Sequence, residues 1–313
     1  MSAIEVVTPG LLTTVQDLGR EGFGPMGVSA SGAADAMALR LGNRLLGNAE
    51  GAAGLEMTLL GGTFLFPEGG VIALTGSDFG ATLDENPVGL WRSTEVRAGQ
   101  RLRSGPTKSG ARCYLCVQGG VAVKPFLGSA STHLLSGLGG LEGRALRKGD
   151  VLSVGASEPI FRKRTVAARA LQRLTPRKVL RVTVGMQADW FPSASQQLFY
   201  GNLHRVREDS NRMGLRLEGL PVTARTRGEM ITEGISLGAV QVPESGQAII
   251  SFVEQQTTGG YPVIANLISV DFSSVGQLRP RDEVRFERVA MDEARALLIE
   301  REKLLASEDL ILE

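Results

Sequence analysis

Paired amides, paired hydroxyls and two glycines stand together at Gln255-Gln256-Thr257-Thr258-Gly259-Gly260-Tyr261-Pro262, between two strand-like runs. Successive backbone N–H groups in such a turn can form a nest for an anion, and the glycines let a ligand approach the main chain. The same residues also suit a β-turn held by its own threonines. A second cluster, Gly27-Val28-Ser29-Ala30-Ser31-Gly32-Ala33, runs through Asp35 into a helix start. A carboxylate or phosphate is favoured there, and simple capping by the serines is the plainer reading. Arg20, Arg40 and Arg44 are the cations available to flank it. The candidate substrate-binding residues are therefore Arg20, Ser29, Ser31, Asp35, Gln256, Thr257, Thr258, Gly259, Gly260 and Tyr261. The chemistry they suggest is stabilisation of an anionic intermediate by main-chain donors. Glu56, Asp78 and Glu233 are the candidate bases, and each residue type is also common as a structural carboxylate.

Other motifs match in letters only. Gly22-Phe23-Gly24-Pro25-Met26-Gly27 has the dinucleotide spacing, but Gln16-Asp17-Leu18-Gly19-Arg20 precedes it, Pro25 interrupts it and the helix begins several residues later. Gly105-Pro106-Thr107-Lys108-Ser109 has Thr where the second glycine of a P-loop belongs. Gly234-Ile235-Ser236-Leu237-Gly238 fits a nucleophile elbow, yet Ala239 onward reads as a strand where a helix is required. Cys113 and Cys116 lie three apart on one strand and so face opposite sides, and His133 and His204 complete no zinc spacing. No metal site is expected.

These loops need a scaffold of strands. Glycine supplies 40 of 313 residues, with no collagen period, which suits a β-rich fold with many turns and close backbone approaches. Val71–Thr75, Val179–Val184 and Val284–Phe286 read as strands, and Ala239–Val253 reads as a hairpin closed at Glu244-Ser245-Gly246. Two helices stand out. One is expected from about Ala33 to Leu46, capped by Ser31, with Met37, Leu41 and Leu45 inward and Gly47 as terminator. The other starts at Met291 and gathers Ala294, Leu297, Leu298, Leu304 and Leu305 on one side, to pack on its own barrel or on a partner.

A formal charge of +1 leaves no basic excess for phosphate neutralisation, which excludes a nucleic-acid binder held by counterion release. No apolar run reaches the ~18–20 residues that cross a bilayer, and the start of the chain lacks signal-peptide character. A cytoplasmic location is expected. Basic residues cluster between 159 and 188 (Arg162, Lys163, Arg164, Arg169, Arg173, Arg177, Lys178, Arg181) with no acid among them. They read as a connector, or as a docking surface for an acidic partner or phosphorylated ligand. Gly149-Asp150-Val151-Leu152-Ser153-Val154 and Arg281-Asp282-Glu283-Val284-Arg285-Phe286 echo each other, each a turn with Asp entering a closing strand. The expected division is 1–155, a connector over 156–180, a second half over 181–290 and a helical tail over 291–313.

Thr8 to Arg20, Gly27 to Asp35, Asn43 to Asn48, Leu55 to Leu59, Gly128 to Thr132, Gly143 to Leu146 and Gln255 to Pro262 together resemble one family. It is the biotin-dependent carboxyltransferase family, whose members are also called allophanate hydrolase subunit 2, the 5-oxoprolinase C subunit, or KipA-like. The resemblance runs from about Val7 to Val289. It implies a mainly β fold with a few helices, built as two cyclophilin-like β-barrel halves. It also implies a heteromeric complex with a subunit 1-like partner (KipI, or the 5-oxoprolinase B subunit) and a lactam-hydrolase-like A subunit. The activity implied first is ATP-dependent opening of 5-oxoproline to glutamate. The alternatives are transfer of a carboxyl group from carboxybiotin to urea or a similar amide, and a non-catalytic regulator that sequesters a kinase inhibitor. With no P-loop and no Met-Lys-Met-type biotin site in this chain, ATP belongs to the assembled complex and biotin, where used, to a partner. The chain alone is expected to be inactive.

Overall fold

The computed structural model describes residues 2–156, 160–225 and 230–313; of the expected connector, residues 157–159 lie outside the described residues. The chain forms two compact units. The first gathers Met1–Arg20, Ser31–Leu174 and Ser307–Glu313, and the second gathers Glu21–Ala30 and Thr175–Ala306.

The first unit has two antiparallel sheets around one core. The five-stranded sheet runs Leu12–Gln16, Gly54–Thr58, Arg112–Val117, Gly70–Gly76, Ser93–Val96. The seven-stranded sheet includes Ala3–Thr8, Thr63–Phe66, Gln100–Arg103 and Val151–Val154. Alternation sends Ile4 and Val6, Phe64 and Phe66, and Leu152 and Val154 inward, where they meet Leu55, Leu74 and Leu115. The strand Arg112–Val117 is buried on both faces: Cys113 joins this core, while Cys116 lies under a helix, its Sγ 3.8 Å from Leu39 O. Both thiols are free, and burial pushes Cys116 up to about 12 and Cys113 higher still.

That helix is Ala36–Leu45, with Met37, Leu41 and Leu45 buried as expected. It starts later than the sequence suggests, because Asp35 supplies the cap: its carboxylate accepts the Ala38 N–H at 3.1 Å. Ser31 instead adopts φ +57° and donates to Thr132 O at 2.8 Å.

The second unit contains a closed seven-stranded barrel. Its order is Val179–Val184, Val263–Leu267, Ala239–Gln241, Ile249–Ser251, Gly214–Glu218, His204–Val206, Glu283–Arg288. Glu283–Arg288 returns parallel to Val179–Val184 and closes the ring. Leu180, Val182, Val284 and Phe286 point inward, and the expected hairpin forms with Val240 opposite Ile250.

The echo between the halves is a shared turn. In the first unit Val6 donates to Asp150 O and accepts from Gly149 N, while Arg147 N donates to Asp150 Oδ2 at 2.7 Å. In the second, Val206 donates to Asp282 O and accepts from Arg281 N, and Arg279 N donates to Asp282 Oδ2 at 2.8 Å. The left-handed position is Gly149 (φ +89°) in one and Arg281 (φ +73°) in the other.

Grouping by contact threads the chain differently from the linear division. Thr165–Val166, in the expected connector, pairs with Ile311–Leu312, so the connector as far as Leu174 and residues 307–313 count with the first unit. The helix Met291–Ala306 counts with the second. Its Arg301 donates to Ser269 O at 3.0 Å, Leu305 is buried, and Ala294, Leu297, Leu298 and Leu304 are half-covered.

Candidate functional site

Glu56 lies on the central strand pair of the first unit, opposite Thr14 on one side and Tyr114 on the other. It is 1% exposed. Its Oε2 accepts from the Ala34 N–H at 2.8 Å and the Tyr114 hydroxyl at 2.7 Å, and Arg112 Nε lies 3.4 Å from Oε1. Tyr114 Oη also accepts the Asp35 N–H at 2.7 Å. The helix entrance read as an anion site is thus served from inside, by the protein's own Glu56 and Tyr114. Burial, with Glu56 and Asp35 close by, holds the Tyr114 hydroxyl well above the usual tyrosine range, so it stays a donor.

Arg20 and Ser31 are tied to the segment 126–132. Arg20 is buried, donates to the carbonyls of Phe126 and Ser131, and places its guanidinium 5.6 Å over the Phe126 ring. Asp17 organises the same segment, accepting from Gly19 N, Ala130 N and the hydroxyls of Ser129 and Ser131. Asp17 was not singled out in the sequence. Its signal was the short Asp17-Leu18-Gly19 spacing, typical of a side chain that binds the backbone two residues on. Arg40 and Arg44 both turn to Glu50, at 2.7 and 3.6 Å. Asp78 is half-buried, accepting from Gly80 N and Lys108 Nζ, and the Lys108 ammonium holds its carboxyl below the ordinary value. Ser29 is buried within the segment 21–30 of the second unit.

The second unit brings Glu233 to the Gln256–Tyr261 segment. Glu233–Gly234 pairs antiparallel with Thr258–Gly259, placing Glu233 opposite Gly259 and Gly234 opposite Thr258. Ile235 N–H donates to Thr257 O at 3.0 Å and continues the ribbon. A nest needs alternating right- and left-handed residues, and neither Gly259 nor Gly260 takes a positive φ. The segment is a short strand where a turn was expected. A Cβ at Gly259 would lie 2.1 Å from Ile235 Cδ1, so a larger residue there would make the Ile235 side chain shift. Gln256, Thr258 and Gly260 are exposed, and Tyr261 is 49% exposed. Gln187, buried and missed in the sequence, donates from Nε2 to Glu233 Oε2 at 3.1 Å and accepts the Val263 N–H on Oε1 at 3.1 Å.

The motifs set aside in the sequence stay aside. Gly24–Met26 is a single exposed 3-10 turn. Lys108 is spent on Asp78, and the loop around it leads to no helix, so these residues do not fit a nucleotide phosphate. Ser236 is followed by a strand. His204 Nε2 is bound to Phe199 O at 2.8 Å, and burial lowers its pKa. Among the described residues no group of three or more His, Cys, Asp or Glu could hold a metal ion. No helix among them is long and apolar enough to cross a membrane.

Comparison with known proteins gives this architecture its relatives. Residues 26–288 match the family model described as carboxyltransferase domain, subdomain A and B. The chain is 39% identical over 291 residues to the 5-oxoprolinase C subunit of Escherichia coli (strain K12), covering 93% of each. It is 38% identical over 294 residues to the 5-oxoprolinase C subunit of Haemophilus influenzae, covering 94% of each. Among solved structures it is similar to the K. lactis urea amidolyase, at a TM-score of 0.91 and 31% identity. That match covers 99% of this chain and 21% of the amidolyase, so the chain spans about a fifth of that protein.

Proposed function

Because this chain belongs to the family of carboxyltransferase domains with subdomains A and B, we propose that it is the C subunit of a heteromeric, ATP-dependent 5-oxoprolinase. The observation that carries this is identity of 39% spread over 93% of both chains. The complex opens the lactam of 5-oxoproline to glutamate: the ring C–N bond breaks, water supplies the new carboxylate oxygen, and the nitrogen leaves as the amine. The partners are a KipI-type B subunit, together with a lactam-hydrolase-like A subunit. ATP is held there, in keeping with a sequence that carries no P-loop pattern in this chain. The need for ATP supports a cytoplasmic location. Within this chain, the ribbon of Glu233–Gly234 and Thr258–Gly259, with Gln256 and Tyr261, is the surface we assign to substrate; its carboxylate, hydroxyl and amide match the N–H and C=O of a lactam.

The test is co-expression of the chain with its two partners and an assay of ATP-dependent glutamate release from 5-oxoproline. Activity that requires all three chains is expected. Full activity without this chain would overturn the assignment. The backbone likeness to urea amidolyase favours a second reading, carboxyl transfer to urea or a similar amide with biotin on a partner. Biotin would there supply the carrier for the carboxyl group, and inhibition of the assembled complex by avidin would select that reading.

A further inference from the structure

Gln187 joins two segments that are 46 and 76 residues away in sequence. Its backbone N–H also donates to Val263 O at 3.2 Å, so the residue is pinned by main chain and side chain together. The orientation of its amide is not ambiguous. The Val263 N–H can only donate, so the amide oxygen must face it, and the NH2 end must face Glu233. A charge-assisted bond thereby holds Oε2 of Glu233 in place. Among the described residues, Oε1 makes no protein hydrogen bond, and the glutamate is exposed opposite Gly259, which offers no side chain.

Apolar side chains that neighbour this pair along the chain are exposed. Met186 is 78% exposed, Ile231 83% and Tyr261 49%, and each lies within two residues of Gln187, Glu233 or Val263. A fixed acceptor with large exposed apolar neighbours suits a small flat molecule that carries one N–H on an apolar body. A lactam ring has that form.

We propose that Gln187 is a positioning residue, which aims the free oxygen of Glu233 to accept the N–H of a lactam or urea-type substrate. The inference rests on the functional reading above and assigns Glu233 a recognition role, distinct from that of a base. Gln187 does not touch the substrate; it acts through Glu233.

Two measurements test this. In the first, ligand-detected NMR on the full chain compares 5-oxoproline, urea and N-methyl-5-oxoproline, which lacks the N–H. The wild-type chain is expected to bind 5-oxoproline about tenfold or more tightly than its N-methyl analogue, the scale of one hydrogen bond to a charged group. That preference should vanish in Glu233→Gln and in Gln187→Leu, and the double variant should be no worse than either single one. In the second, the assembled complex should show a KM for 5-oxoproline raised about tenfold in both variants, with kcat changed much less, as for lost ground-state binding. Equal wild-type binding of the methylated and unmethylated lactams would overturn the proposal without any variant. So would a wild-type chain that binds neither 5-oxoproline nor urea, or an active complex whose KM is untouched by both substitutions. A wild-type complex that binds 5-oxoproline with this preference but does not hydrolyse it would defeat the 5-oxoprolinase reading and leave the positioning role standing.

Discussion

A carboxylate as buried as Glu56 needs its lone pairs answered, and it receives Ala34, Tyr114 and Arg112. Removing one member of a buried ion pair strands the other, so Glu56→Ala should cost about 3–5 kcal/mol of folding stability. Urea denaturation checks this, and lost activity that follows lost folding would mark Glu56 as architecture. Asp150 gives a pH signature. The Arg144 guanidinium bonds it at 2.8 and 3.0 Å and, with the Arg147 N–H, holds its carboxyl below the ordinary 3.8. A depressed folded pKa stabilises the native state above the unfolded value, and that stability is lost as pH falls through the folded pKa. Asp150→Asn should therefore be about 1–2 kcal/mol less stable than the wild type at pH 7. The gap should begin to narrow below about pH 4 and shrink further as pH falls through the folded value, which paired urea melts at pH 7 and pH 3 would show.

At the scale of elements, the turn shared by the two units isolates the cost of a left-handed residue. Nothing lies within 4 Å of a Cβ built on Gly149, so Gly149→Ala tests backbone strain without a clash. A loss of about 1 kcal/mol is expected, read as a lowered Tm. This turn was legible because Asp and a closing strand recur with the same spacing in both halves. The hairpin at Glu244-Ser245-Gly246 and the Met37, Leu41, Leu45 stripe were legible for similar reasons, since period and punctuation are local properties. The true start of the helix was not, because Thr132, distant in sequence, draws Ser31 away and leaves the cap to Asp35. The ribbon carrying the candidate site was also hidden: two strands of two residues each are too short to alternate. Gln187 carries no local signature at all, and its role exists only once Glu233 and Val263 have been brought to it. Glu233 was named in the sequence for its chemistry, and its neighbours could be named only from the fold.

At the scale of the whole molecule, the first unit depends on residues far along the chain. Thr165–Val166 pairs with Ile311–Leu312, Ala167 N–H donates to Leu310 O at 2.9 Å, and Leu310 is 1% exposed. Deleting residues 307–313 should remove about 2–3 kcal/mol, chiefly through the lost burial of Leu310. Hydrogen exchange should show protection lost at residues 165–167, with the barrel strands of the second unit unchanged. The same threading has a consequence for biosynthesis. As the polypeptide leaves the ribosome, the N-terminal unit has most of its sheets but must wait for Ile311–Leu312, and Glu21–Ala30 must wait for the unit whose remaining residues begin at Thr175. Neither half can reach its finished state in strict order of translation. Chaperone dependence and aggregation of nascent chains should therefore peak while residues 175–306 are being added, and ribosome-arrested chains released before residue 307 should be the most protease-sensitive.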